Sequence, residues 1–171
     1  MTIQQDLKNS ALPKYIELFE LDLTPLGGSV LRFSPNTAAG NAALVFNGQV
    51  YTPLPVSGSG WETSIDGAAP QPTIKVSNVT KFIQGYLTTY ADLVGMRLTR
   101  YQTFDKYLDG QPAADPSQVF NTCVYVIQQK TKQSKYEVEF KLSAIIDQPQ
   151  LKLPRQQVLR AEFPGAGLFR K

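Results

Sequence analysis

The sequence predicts a mostly β, α+β fold: an antiparallel β-barrel or sandwich with one main helix near residues 79–91 and an extended C-terminal arm. Three observations predict it. Tyr136, Val138, Phe140 and Leu142 alternate with Glu137, Glu139, Lys141 and Ser143, the period-two pattern of a strand with one buried and one wet face. Asn47-Gly48 stands between strand-like residues, and a two-residue type I′ hairpin turn needs φ > 0 at both central positions. Substantial helical spacing occurs once, through Val79, Phe82, Ile83, Tyr86, Leu87 and Tyr90.

Taken in order, Thr2 can cap a short N-terminal helix with Gln5 at the capping-box position, which puts Ile3 and Leu7 on one face. Tyr15–Leu23 reads as a strand whose two faces are both partly apolar. Gly27-Gly28 turns the chain and Val30–Phe33 returns as a second strand. From Tyr51 to Asn78 the chain places Pro53, Pro55, Gly58, Gly60, Gly67, Pro70 and Pro72 between two strand-like runs. Proline locks φ and glycine frees it, so this density predicts a shaped loop. A long shaped loop in a compact domain is usually functional or an interaction surface.

Thr73–Ser77 follows as a strand, with Asn78 as the expected N-cap of the helix and the helical stripe as core packing. Met96–Phe104 is the next strand, and Asp109-Gly110 through Pro116 a polar loop. Val119–Lys130 and Lys135–Ile146 form the longest hairpin, with TKQSK at its tip. Beyond Asp147 periodicity ends. Leu153, Val158, Leu159, Phe163, Leu168 and Phe169 would be wasted on a frayed terminus, so this segment is expected to dock on a partner. The chain thus divides into an N-terminal helix or arm (1–14), a β-rich domain (15–147) and a C-terminal arm (148–171).

Composition narrows the chemistry. A chain of 171 residues is one domain that buries roughly 70% of its unfolded surface. Cys123 is the one cysteine and histidine is absent, which excludes structural zinc, serine–histidine and cysteine–histidine catalysis. Among strand-like neighbours, Cys123 is expected to be buried, and no cofactor is expected. No signal-peptide pattern opens the chain and no apolar run approaches ~20 residues, so a soluble protein made in a reducing compartment, without membrane insertion, is expected. From Gln128 to Lys171, nine Lys/Arg face four Asp/Glu, leaving eight against ten elsewhere. That basic third lacks the interleaved aromatic residues of a nucleic-acid reader, and Lys130, Lys132 and Lys135 are expected at a solvated tip. Glu62, Asp66, Asp92, Asp105, Asp109 and Asp115 provide carboxylates for a cell-wall hydrolase. Glycoside hydrolysis needs two of them roughly 5–10 Å apart, and nothing in the sequence pairs them. Trp61, with Tyr51 nearby, reads as a stacking platform for a binding module or, more simply, as an anchor in a core or protein interface.

Six segments in order carry a resemblance: LFELDLTPLGG (Leu18–Gly28), FNGQVYTPLPVSGSGWE (Phe46–Glu62), QPTIKVSN (Gln71–Asn78), DLVGMRLTR (Asp92–Arg100), ADP (Ala114–Pro116) and LPRQQVLR (Leu153–Arg160). Together they resemble the N-terminal domain of the tailed-phage minor tail protein L family of lambda-like siphophages. The resemblance implies a structural virion protein of the tail tip or baseplate, made and assembled in the host bacterial cytoplasm, with a fold related to tail-tube subunits. It implies a homo-oligomeric ring, a trimer, joining the distal tail protein to the central hub or tip protein, with tail-tip adaptor proteins nearby. DNA would only pass through the channel. The expected interface residues are Tyr51, Pro53, Pro55 and Trp61 in the loop and Leu153, Arg155, Val158, Leu159, Arg160, Phe163 and Phe169 in the arm. Relatives in this family continue into a cysteine-rich domain able to hold an iron–sulfur cluster, whereas this chain reads AEFPGAGLFRK. A cluster takes about four thiolates, so none is expected here.

Overall fold

The computed structural model describes residues 3–8, 12–38, 41–62 and 70–145. Its elements are α1 (Ile3–Asp6), β1 (Tyr15–Asp22), β2 (Val30–Ser34), β3 (Leu44–Phe46), β4 (Gln49–Pro53), β5 (Val56–Ser59), β6 (Thr73–Ser77), α2 (Phe82–Thr89), β7 (Arg97–Phe104), β8 (Cys123–Gln133) and β9 (Glu137–Ala144). The strands run in the order β3-β4-β2-β1-β7-β8-β9-β6-β5, so the expected mostly β fold is observed. Every pairing is antiparallel except that of β2 with β4.

Two residues, Leu54 and Pro55, join β4 to β5, and they close the sheet. The Leu54 N–H donates to the Ser34 carbonyl of β2 at 2.9 Å, and the Ser77 N–H of β6 donates to the Pro55 carbonyl at 2.9 Å. Residues 49–59 therefore form one bent strand that starts beside β2 and finishes beside β6, turning the sheet into a barrel. Pro55 suits the corner: it has no N–H to leave unpaired where the strand exchanges partners. Within the segment expected to be a shaped loop, Val56–Ser59 is thus a strand.

The barrel interior is filled by Phe19, Leu21, Phe33, Ile74, Val76, Leu98, Ile127, Val138, Phe140 and Leu142, with Ile83 and Leu87 of α2 packed among them. Each such burial contributes roughly 1.5–3 kcal/mol relative to exposure. The void at the centre is about 10 Å³ and wholly apolar in lining, at the lower limit for one water, so the interior is a packed core. On the outer face of β1, Ile16 and Leu18 are covered by Leu44, Phe46 and Tyr51 of the β3–β4 hairpin and by Leu108. That second cluster explains why β1 is apolar on both faces. The hairpin turns at Asn47 and Gly48, with φ of 53° and 69°, as the sequence predicts. The Asp109 carboxylate accepts from the Asn47 N–H at 3.2 Å and the Gly48 N–H at 2.6 Å, tying the turn to the 105–120 connection.

Several local expectations are corrected. The helix begins at Phe82, not near 79, and Val79 is 68% exposed. Asn78 does not cap it: its Nδ2 donates to the Ser134 carbonyl at 3.0 Å across to the β8–β9 turn, and Lys81 occupies the cap with φ 55° and no side-chain bond. Val138, Phe140 and Leu142 are buried as predicted, but Tyr136 lies in the turn and is 69% exposed. Residues 119–122 precede β8 rather than belonging to it. Cys123 is half-buried. In the short N-terminal helix Ile3 is buried while Leu7 is exposed.

Candidate functional site

The end of the barrel opposite α2 is polar and aromatic. Phe19, Arg100 and Cys123 are cross-strand partners on β1, β7 and β8, one step outward from Leu21, Leu98 and Tyr125. Trp61, at the end of the β5 side, lies across this row. Its ring is 6.3 Å from Phe19 and 5.3 Å from Tyr125, and the Arg100 guanidinium sits 4.4 Å from its centroid. Gly58 makes the seat possible, since a Cβ there would stand 2.5 Å from Trp61. Arg100, its side chain only 11% exposed, pairs with Glu17. With its amide oriented to satisfy both groups, Gln102 accepts from Arg100 and from the Tyr15 hydroxyl. The charge is therefore matched inside the cluster. Burial, and after it the Glu17 carboxylate, pushes the Tyr15 hydroxyl up to about 12, so it stays a donor.

A second network lies on the outer face of β1. Glu20 accepts from the Tyr51 hydroxyl at 2.7 Å and from Arg32 Nε at 2.9 Å, and Tyr101 Oη approaches at 3.5 Å. Burial first and Glu20 second hold both the Tyr51 and Tyr101 hydroxyls above the ordinary tyrosine value. A third ties α1 to the body: buried Asp6 meets Lys106 Nζ at 2.5 Å and accepts from Tyr107, while Ile3 packs with Phe104 and Tyr107.

The Lys106 ammonium, then the Tyr107 hydroxyl, lower the Asp6 carboxyl below 3.8. With the folded value depressed, its contribution is full above 3.8 and is lost as pH falls through the lower folded value. Acid titration should therefore release α1 below pH 3.8, read as movement of the Ile3 methyl resonance away from its ring-shifted position. Asp6→Asn should remove that acid-sensitive step; an unchanged step would refute the assignment.

Asp22, Asp115 and Glu137, like Asp6, are held below their ordinary values, by Thr24, Ser117 and Lys132 respectively as the leading cause. A glycosidase acid needs the opposite displacement.

Of the residues expected at an interface, Tyr51 is 2% exposed and turned inward onto Glu20, so it props the loop from beneath rather than meeting a partner. Pro53 ends β4, Pro55 makes the barrel corner and Trp61 is half-buried over the Arg100 row. Leu153, Arg155, Val158, Leu159, Arg160, Phe163 and Phe169 lie outside the described residues. The sequence reading missed Arg100, Glu17 and Glu20, which become a set only through strand register, and it held Asp109 as a candidate carboxylate rather than as the tie to the Asn47-Gly48 turn. It also missed Val45 and Val50, cross-strand partners that are both exposed on the β3–β4 hairpin. Their place in the alternation beside the Asn47-Gly48 turn was the available signal.

The barrel with its outlying hairpin can be set beside known proteins. The model of the phage minor tail protein L family matches residues 24–167. The chain belongs to the phage minor tail protein L family. Tail tip protein L of Escherichia phage lambda is 31% identical over 109 residues, covering 60% of this chain and 47% of that protein. A chain from the virion of the native gene transfer agent particle shares the fold, with a TM-score of 0.56 at 15% identity, covering 90% of this chain and 48% of that one. The chain spans about half the length of these proteins. It is a homologue of phage minor tail protein L, a structural tail protein. With one thiol in the chain, and no group of three or more His, Cys, Asp or Glu side chains placed to hold a metal among the described residues, its donors do not fit an iron–sulfur cluster. No helix among the described residues is long and apolar enough to cross a membrane.

Proposed function

We propose that this chain is a ring subunit of a long-tailed phage tail tip, joining the distal tail protein to the central hub around the DNA channel. Membership of the phage minor tail protein L family over residues 24–167 carries this reading. The filled barrel supports it, because a packed core leaves the outer surface as the working part. By the usual scaling a domain of this size has a radius near ~15–16 Å, too compact to surround a DNA-sized channel alone, so several copies, taken as three, form the ring. The contacts fall on the corner at Pro53 and Pro55, on Trp61, on the exposed Val45–Val50 pair, and on the C-terminal arm through Leu153, Arg155, Val158, Leu159, Arg160, Phe163 and Phe169.

Mixing the full chain with its phage's distal tail protein and hub protein, and weighing the products by mass photometry, tests the reading. A discrete complex holding three copies is expected; a monomer in every mixture would overturn the proposal. Leu159→Asp with Phe163→Asp should leave the unfolding temperature within about 2 °C while abolishing the complex. Unimpaired assembly would remove the arm from the interface.

A further inference from the structure

The two ends of the strand order are treated differently. At β3 the Val45 carbonyl accepts from the Asp109 N–H at 3.0 Å, so that edge is covered by the 105–120 connection. At β5 the pairing is one-sided, with β6 alone. The Ser77 N–H bonds the Pro55 carbonyl, so by antiparallel alternation Ser57 and Ser59 exchange bonds with β6 while Val56 and Gly58 turn their N–H and C=O groups the other way. The opposite side of the same strand agrees, since Leu54, two residues before Val56, points its N–H at Ser34. β2 ends at Ser34. A depression of about 420 Å³ opens there, lined among others by Pro35, Pro55, Val56 and Tyr136.

Ser57, Gly58 and Ser59 are exposed, and β5 carries no lysine, no internal proline and no bulge, the usual defences of a free edge. An outward row of main-chain donors and acceptors selects one chemistry, an extended polypeptide. β9 ends at Ala144, and Lys141, Thr73 and Ser59 stand in one row across β9, β6 and β5, so β9 and β5 finish at the same end of the barrel. The 26 residues from 146 to 171 can span about 86–94 Å when extended, several times the ~15–16 Å radius of the domain. Between Pro154 and Pro164 they hold a proline-free run of nine residues, RQQVLRAEF, long enough to pair with a four-residue strand.

We infer that the β5 edge is a strand-addition site occupied by the C-terminal segment of an adjacent copy, through the run 155–163. This rests on the ring reading above and gives it a closing contact. Each copy donates a strand to the next, a head-to-tail contact that makes a closed ring when the rotation allows.

Single-residue hydrogen exchange on the full chain, free and assembled, tests it. In the free protein Ser57 and Ser59 amides should be protected and Val56 and Gly58 amides open. On assembly Val56 and Gly58 should slow at least about tenfold while Ser57 and Ser59 stay unchanged. Val158→Pro, which removes a donor and bends the strand, should abolish that slowing. Ser57→Lys with Ser59→Lys, placed on exposed positions, should weaken assembly without lowering the unfolding temperature. A complex that forms with Val56 and Gly58 still open overturns this inference and leaves the ring reading intact. Protection already present in the free monomer assigns the edge to the chain's own segment and overturns the adjacent copy as occupant. Protection that survives Val158→Pro assigns it to another tail protein, with the same consequence. No complex at all overturns both readings.

Discussion

Trp61→Ala should destabilise the domain by about 3 kcal/mol, the low end of the range for truncating a large aromatic side chain, because Trp61 is half-buried. For a domain of this size that is a fall in unfolding temperature of roughly 6–12 °C. The loss has two sources. The indole covers Phe19 and Tyr125 at the edge of the main core, and its removal opens that edge to water. It also carries the face over which the Arg100 guanidinium lies at 4.4 Å, a contact that desolvation strengthens. Arg100 keeps Glu17 and Gln102, so its charge is not orphaned and the cost stays below that of a broken buried ion pair. Gly58→Ala provides the control. Alone it drives a Cβ to 2.5 Å from the indole and should cost about 1–3 kcal/mol by overpacking; in the Trp61→Ala background that clash has no partner. Chemical unfolding followed by circular dichroism measures both, since the chain's one tryptophan is lost. A Gly58→Ala cost that is the same in both backgrounds would sink the packing account.

The contrast between Asn47-Gly48 and Pro55 explains what the sequence could reveal. A type I′ turn is a property of two adjacent residues, and the alternation through Val138, Phe140 and Leu142 is a property of one strand, so both were readable locally. Pro55 acts at long range. Its meaning as a barrel corner depends on Ser34 and Ser77 arriving on either side, and the same proline–glycine density that reads as a loop builds a bent strand once they do. Gly58 is small because Trp61 lies on it, not because a turn requires it. Asn78 shows tertiary structure overriding a local signal: its carboxamide found the Ser134 carbonyl, 56 residues away, and the helix started without it. The polar network that fixes Trp61 was also hidden, because Glu17 and Arg100 lie 83 residues apart and face each other only in the β1–β7 register. Family resemblance worked where local pattern failed, since ordered segments keep the record of register that single motifs lose.

Glu20→Ala should cost a further large amount, about 3 kcal/mol, and should act on the outlying hairpin rather than on the barrel. The carboxylate is the common acceptor for the Tyr51 hydroxyl and Arg32, and Tyr51 is 2% exposed. Removing it leaves a buried hydroxyl without an acceptor, a penalty of about 1–3 kcal/mol, and frees a half-buried guanidinium as well. Tyr51 belongs to the cluster that seats β3 and β4 on Ile16 and Leu18, so the lost stability falls on the hairpin that displays Val45 and Val50. Two variants separate this mechanism from general damage. Glu20→Gln keeps one acceptor oxygen and should cost only about 1 kcal/mol, the ordinary worth of a neutral hydrogen bond. Tyr51→Phe deletes the orphaned hydroxyl, so in the Glu20→Ala background it should restore stability, although in the native background it lowers it. The hydroxyl itself supplies a third readout. Because its folded value is raised, its contribution is full below the ordinary tyrosine pKa of 10.0 and is lost as pH rises beyond it. Loss of Glu20 should move Tyr51 ionisation down toward that ordinary value without reaching it, since burial is the larger cause and Glu20 the second. Ultraviolet titration of the tyrosines, with the Tyr51→Phe curve subtracted to remove the other seven, follows this. If Tyr51→Phe proves as destabilising with Glu20 absent as with it present, the two residues are not coupled and the hairpin is held by apolar packing alone.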